Sequence, residues 1–125
     1  MYELTVEVRF SAAHQIAGHS GPCARLHGHN YRVVVSLVGE HLDGGGMLLD
    51  FGDLKQMCNE VIAPLDHSFL NDLPAFAEVN PTAEAIARHI HSGVSARIGD
   101  SPRQRVRVAR VTVYESETSY ASYRE

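Results

Sequence analysis

The chain has 125 residues, 44% of them hydrophobic and 21% charged, and a formal net charge of −4. That length fits one domain (residues 1–125) able to bury its own core. The negative balance argues against a nucleic-acid or anionic-membrane partner, and no apolar run approaches the length of a membrane span. The stretch from Met1 to Phe10 alternates and carries Glu3, Glu7 and Arg9, unlike a secretory leader. Two cysteines are too few for a disulfide framework, so the chain reads as cytoplasmic. Histidine is the outlier, with eight in the chain.

Tyr2, Leu4, Val6, Val8 and Phe10 alternate with polar residues, the pattern of a half-buried strand. Ser11 to Arg25 contains Gly18, Gly21 and Pro22 and reads as a loop. Tyr31, Val33, Val35 and Leu37 mark a second strand, and Asp43-Gly44-Gly45-Gly46 a turn. Phe51, Leu54, Cys58, Val61 and Leu65 step by three and four, which predicts an amphipathic helix capped by Asp50. Asn80-Pro81 reads as the start of a second helix, with Asn80 at the cap. Ala83, Ile86, Ala87, Ile90, Val94 and Ile98 form its buried stripe, and Gly99 stops it. Strands over 106–115 and 119–124 follow. Arg103, Arg105, Arg107 and Arg110 form the one basic cluster, read as a solvated or subunit-facing strand edge. The order ββααββ predicts an α+β layer, an antiparallel sheet with two helices on one face.

The chemistry concentrates in Cys23-Ala24-Arg25-Leu26-His27-Gly28-His29. On a strand, His27 and His29 point to the same side, because side chains repeat every two residues. His14, near the end of the first strand, offers a third imidazole, although His19 competes with it. Three neutral imidazoles suit zinc best, although iron, nickel and copper also accept them, and leave one coordination position open, as a catalytic site requires. Gly28 bares the opposite face and allows close backbone approach. Cys23 has two possible roles: a fourth ligand closing a structural site, or a base beside an open one. Cys58 reads as packing, and His41, His89 and His91 carry no signal.

Asp66-His67 follows the first helix. Adjacency alone does not pair the two side chains, but a histidine there can act as acid or base near neutral pH. Glu115 alternates with Val111 and Val113 and so points toward the core side, which is costly unless the carboxylate is paired or binds a ligand. A carboxylate can grip a flat heterocycle that shows two parallel N–H groups. A solvated glutamate at the strand end is the alternative reading, and Glu117 is a neighbour that could be confused with it.

Taken together, six blocks in this order resemble the 6-pyruvoyl-tetrahydropterin synthase / 6-carboxy-tetrahydropterin synthase family. They are Phe10-Ser11-Ala12-Ala13-His14, Cys23 with His27-Gly28-His29-Asn30-Tyr31, Leu49-Asp50-Phe51-Gly52-Asp53-Leu54-Lys55, Leu65-Asp66-His67-Ser68-Phe69-Leu70-Asn71, Asn80-Pro81-Thr82-Ala83-Glu84, and Tyr114-Glu115-Ser116. The resemblance implies a tunnelling fold (T-fold) that assembles through its sheets into hexamers of two trimers, with active sites between subunits. It implies Zn2+ on His14, His27 and His29, Cys23 with Asp66 and His67 as the catalytic groups, and Glu115 as the anchor of a small-molecule pterin. Three residues between the cysteine and His-Gly-His match the carboxy-forming branch, which serves queuosine biosynthesis. Its reaction takes 7,8-dihydroneopterin triphosphate to 6-carboxy-5,6,7,8-tetrahydropterin, acetaldehyde and triphosphate. The pyruvoyl-forming branch is the alternative, and a non-catalytic zinc-stabilised binding module is a further one. Arg25, Arg32 and Lys55 are candidates for the triphosphate contact.

Overall fold

The computed structural model describes residues 1–99 and 106–125. Strands β1 (Tyr2–His14) and β2 (His27–Gly39) come first, then helix α1 (Phe51–Ile62) and a two-residue strand β3 (Ser68–Phe69). Helix α2 (Ala83–Ile98) and strands β4 (Arg107–Tyr114) and β5 (Tyr120–Arg124) complete the order. The strands form one sheet in the order β3-β1-β2-β4-β5. All neighbours are antiparallel except β1 and β3, which run parallel through Ala12–Ser68 and Ala13–Phe69. The expected α+β architecture is present, with β3 added at one edge. Among the described residues no helix is long and apolar enough to cross a membrane.

The core lies between one sheet face and both helices. Val6, Val8, Phe10 and Ala12 of β1, Tyr31, Val33, Val35 and Leu37 of β2, and Val111 and Val113 of β4 are buried on that face. Leu54, Cys58 and Val61 of α1 and Ile86, Ile90 and Val94 of α2 close over them. The opposite face is polar and paired across strands: Thr5 with Ser36 at 2.9 Å, Ser11 with Asn30 at 2.6 Å, Glu7 with Arg32 at 2.8 Å and Thr112 with Ser122 at 2.7 Å.

Several boundaries differ from the sequence reading. β1 continues through Ser11–His14, which was expected to be loop. Ser11, Ala12 and Ala13 are small and show little hydrophobic contrast, so their alternation is muted; pairing with β2 along all three, and with β3 at Ala12 and Ala13, makes them a strand. Phe51 is exposed at the first turn of α1, and Leu65 is buried beyond the helix end. Asp50 caps α1 as expected, accepting from the Asp53 N–H at 3.2 Å. The cap of α2 is Thr82, whose hydroxyl accepts from the Ala85 N–H at 3.1 Å; Asn80 is not the cap. Gly99 ends α2 with a positive φ of 64°. β4 begins at Arg107. Arg103 and Arg105 lie outside the described residues, whereas Arg107 and Arg110 are on β4 and exposed.

The two helices meet closely at Gly93. A Cβ there would lie 2.8 Å from Val61 Cγ1, inside any real contact distance. Val61 is β-branched and buried, so it has little room to yield. Gly93→Ala gains up to about 1 kcal/mol of helix propensity but overpacks the interface by about 1–3 kcal/mol. The expected result is a net destabilisation, read as a lower midpoint in urea with an unchanged m-value.

Candidate metal centre and active site

The register of β1 on β2 builds the centre. His14 lies opposite His27, and Ala12 opposite His29. All three imidazoles therefore project from the helix-covered face at one end of the sheet. One ligand atom from each lies within 4.8 Å of the others. His14 is buried, with 1% of its surface exposed, while His27 and His29 are half-buried. His19 and Cys23 are not part of this cluster, which resolves the choice of third ligand in favour of His14.

Backbone carbonyls orient two of the rings. His14 Nδ1 is 2.7 Å from the Pro81 carbonyl, and His27 Nδ1 is 2.6 Å from the Arg25 carbonyl. A carbonyl only accepts, so each Nδ1 carries a proton and donates it. In the neutral rings each Nε2 then presents a lone pair, and these two nitrogens face each other at 2.8 Å. Two lone pairs at that distance repel unless they share a cation. His29 Nε2 is buried with no hydrogen-bond partner among the described residues. Burial pushes the His29 pKa down, against the attraction of Glu115. Facing lone pairs, carbonyl-fixed tautomers and an orphaned His29 nitrogen are what a metal ligand set requires. Tetrahedral zinc with bonds near 2.05 Å separates its nitrogens by about 3.4 Å, a value bracketed by the spacings here.

Two further groups touch the cluster. The Glu115 carboxylate, just past β4, reaches both His14 Nε2 and His29 Nε2 at 3.9 Å. Its side chain is half-buried and forms no hydrogen bond among the described residues. The Tyr31 hydroxyl lies 3.3 Å from His14 Nδ1, and burial pushes its pKa well up. Sequence reasoning missed this tyrosine because on β2 it looks like any other core aromatic. It also missed the carbonyls of Pro81 and Arg25, since a main-chain acceptor leaves no mark in residue identity. Gly28 was expected to permit close backbone approach; an added Cβ would meet only the Ala12 carbonyl at 3.5 Å, an ordinary contact. Gly28 lines two clefts together with Asn30 of the polar face.

Cys23 sits in a short 3-10 turn (Pro22–Ala24) in the segment between β1 and β2. It lines a cleft of about 300 Å³ with His19, Glu84 and Glu115. Cys58, by contrast, is fully buried in α1, where desolvation pushes its thiol up to about 11. Asp66 and His67 do form a pair: Asp66 Oδ1 accepts from His67 Nδ1 at 2.9 Å. The same oxygen accepts the Ser11 N–H at 2.9 Å, and the His67 N–H donates to the Ser11 carbonyl at 2.6 Å. That docking holds His67 at a positive φ of 55°, uncommon for a residue other than glycine. The Ser11 N–H, then the His67 ring, hold the Asp66 carboxyl below its ordinary pKa. The His67 ring is 82% exposed and shares a second cleft with His29 and Ser11. Cys23 and His67 line separate clefts, the first with Glu115 and the second with Ser11, Gly28 and Asn30 of the polar face. Arg32 lines a third, with His29, Glu115 and Arg9, and stacks on Tyr114 at 3.8 Å. Arg25 and Lys55 are exposed.

Comparison with known proteins agrees with this geometry. The sequence model described as 6-pyruvoyl tetrahydropterin synthase matches residues 3–125. The 6-carboxy-5,6,7,8-tetrahydropterin synthase of Bacillus subtilis is 37% identical over 98% of this chain and 85% of its own length. A putative 6-carboxy-5,6,7,8-tetrahydropterin synthase of Archaeoglobus fulgidus is 39% identical over 95% of this chain and 92% of its own. Among solved structures, 6-pyruvoyl tetrahydropterin synthase of Caenorhabditis elegans superposes with a TM-score of 0.82 at 27% identity, covering 100% of this chain and 97% of that one. With a family match over almost the whole chain and the fold to go with it, the chain belongs to the 6-pyruvoyl tetrahydropterin synthase family.

Proposed function

We propose that this protein is a zinc-dependent lyase that converts 7,8-dihydroneopterin triphosphate to 6-carboxy-5,6,7,8-tetrahydropterin, acetaldehyde and triphosphate. The observation that carries the reading is the three-imidazole cluster with the Cys23 thiol outside it. Such a ligand set leaves a metal position for substrate, and the thiol remains available for proton transfer. The names of the relatives from B. subtilis and A. fulgidus favour the carboxy-forming product.

His14, His27 and His29 would hold the zinc, which when bound supplies Lewis-acid polarisation of the substrate's hydroxyl-bearing side chain. The chain's own groups divide the remaining work. His67 donates its Nδ1 proton to Asp66, so its Nε2 is the atom free to exchange a proton, and the carboxylate stabilises the imidazolium that results. Cys23 is the second group that exchanges a proton. Glu115 offers both carboxylate oxygens to paired N–H groups on the pterin ring. Arg25, Arg32 and Lys55 are the candidates for the triphosphate contact; Arg32 is already paired with Glu7 at 2.8 Å on the polar face. We further propose assembly into a hexamer of two trimers through β5 and the part of β1 that β3 leaves uncovered, which would remove exposed strand edges. Across such a junction, a His67 cleft from one subunit and a Cys23 cleft from another would face a single substrate.

Incubation with 7,8-dihydroneopterin triphosphate is expected to release acetaldehyde and 6-carboxytetrahydropterin, detected by mass spectrometry. A pyruvoyl product without acetaldehyde would move the protein to the other branch. Cys23→Ala should keep its zinc and lose at least roughly 10²-fold in kcat. Loss of zinc together with the fold would instead mark a closed structural site.

Acid should release the metal. Burial holds the His29 pKa below its ordinary value near 6.5 in the folded chain. The unfolded chain therefore takes up a proton first as pH falls, and the stability contributed by neutral His29 is lost between 6.5 and that lowered value. Titration from pH 8 to 5 with a zinc-sensitive dye should show release in step with a falling thermal midpoint. In His29→Ala, added zinc should no longer raise that midpoint.

A further inference from the structure

The segment between β1 and β2 carries Cys23 but has little regular structure of its own. It is held from outside by two asparagine side chains. Asn71 Oδ1 accepts the Gln15 N–H and its Nδ2 donates to the Gln15 carbonyl, both at 2.9 Å. Asn80 does the same two residues on: its Oδ1 accepts the Ala17 N–H at 3.0 Å and its Nδ2 donates to the Ala17 carbonyl at 2.9 Å. Each carboxamide replaces one rung of a β-ladder, using donor and acceptor together. Ile16, between the two gripped residues, donates its N–H to the Cys23 carbonyl at 2.9 Å and lines the same cleft as Cys23. The chain of bonds thus runs from Asn80 through Ala17 and Ile16 to Cys23.

Asn80 is not occupied with capping α2, since Thr82 does that. Its neighbour Pro81 supplies the carbonyl that holds His14 Nδ1 at 2.7 Å. One dipeptide therefore grips a cluster histidine through its main chain and the thiol's loop through its side chain.

We propose that Asn80 is a positioning residue that fixes Cys23 relative to the histidine cluster by clamping Ala17. The catalytic consequence rests on the zinc-dependent pterin reading; the clamp itself does not. Removing it leaves the ligands in place and frees the thiol, so the thiol's reactivity should change while metal content does not.

The test compares the zinc-loaded wild type with Asn80→Ala and the near-isosteric Asn80→Asp. The aspartate keeps the acceptor for the Ala17 N–H but sets a second oxygen against the Ala17 carbonyl. Three quantities are measured: zinc per chain, the rate of iodoacetamide alkylation at Cys23 by mass spectrometry, and kcat and KM with 7,8-dihydroneopterin triphosphate. Cys58 is fully buried, so alkylation reports Cys23. Both variants are expected to retain zinc and lose roughly 10- to 100-fold in kcat with KM nearly unchanged, as a displaced catalytic group does. Their alkylation rates should differ from wild type by at least about threefold as the loop opens locally. Wild-type alkylation and kcat in both variants would overturn the proposal, as would joint loss of zinc and fold in both. If the wild type does not turn over this pterin, the functional reading fails, while the alkylation and zinc measurements still decide the clamp.

Discussion

The pairing of β1 with β2 is the constraint on which the site depends. Their antiparallel register runs from Tyr2 opposite Gly39 to His14 opposite His27. Because side chains alternate, a slip of one residue would turn His14 away from His27 and His29 and also bring the valines of one strand to the polar face. The hydrophobic set that locks the core therefore also locks the imidazoles. Val6, Val8 and Phe10 share a face with His14, and Tyr31, Val33 and Val35 share one with His27 and His29. Core burial and ligand placement are consequences of a single register.

Around that end of the sheet, other parts of the chain supply what the strands cannot. The turn after α1 docks Asp66 and His67 on the edge of β1 through Ser11. The lead into α2 brings Pro81 to His14 and Asn80 to Ala17. The end of β4 brings Glu115 over two of the rings. Most of these contacts use main-chain groups, so they specify where the backbone must be rather than which side chain must be there. The positive φ at His67 is a local cost of this docking, sustained by three hydrogen bonds within 2.6–2.9 Å.

The amphipathic patterns were legible because burial imposes period. Leu54, Cys58 and Val61 on α1, and Ile86, Ile90 and Val94 on α2, stand where their spacing placed them. Misreadings fell where period is weak or a residue type has two uses. Ser11 to Ala13 lack hydrophobic contrast and became strand only through pairing with β2, joined by β3 at Ala12 and Ala13. Asn80 before Pro81 resembles a helix cap in sequence, yet its carboxamide is taken by a distant loop while Thr82 caps the helix. The Asp66–His67 pair was ambiguous because adjacency in sequence says nothing of side-chain direction.

By itself the sequence determined the α+β class, the face on which His27 and His29 project, and the family, since these follow from side-chain alternation and from short blocks of residue types in order. Only the tertiary structure decided that His14 rather than His19 completes the cluster, that Cys23 stands outside it, and that Pro81, Tyr31 and Asn80 belong to its surroundings. Those outcomes depend on distances between segments far apart in the chain, which are set by strand register and loop docking rather than by any local preference.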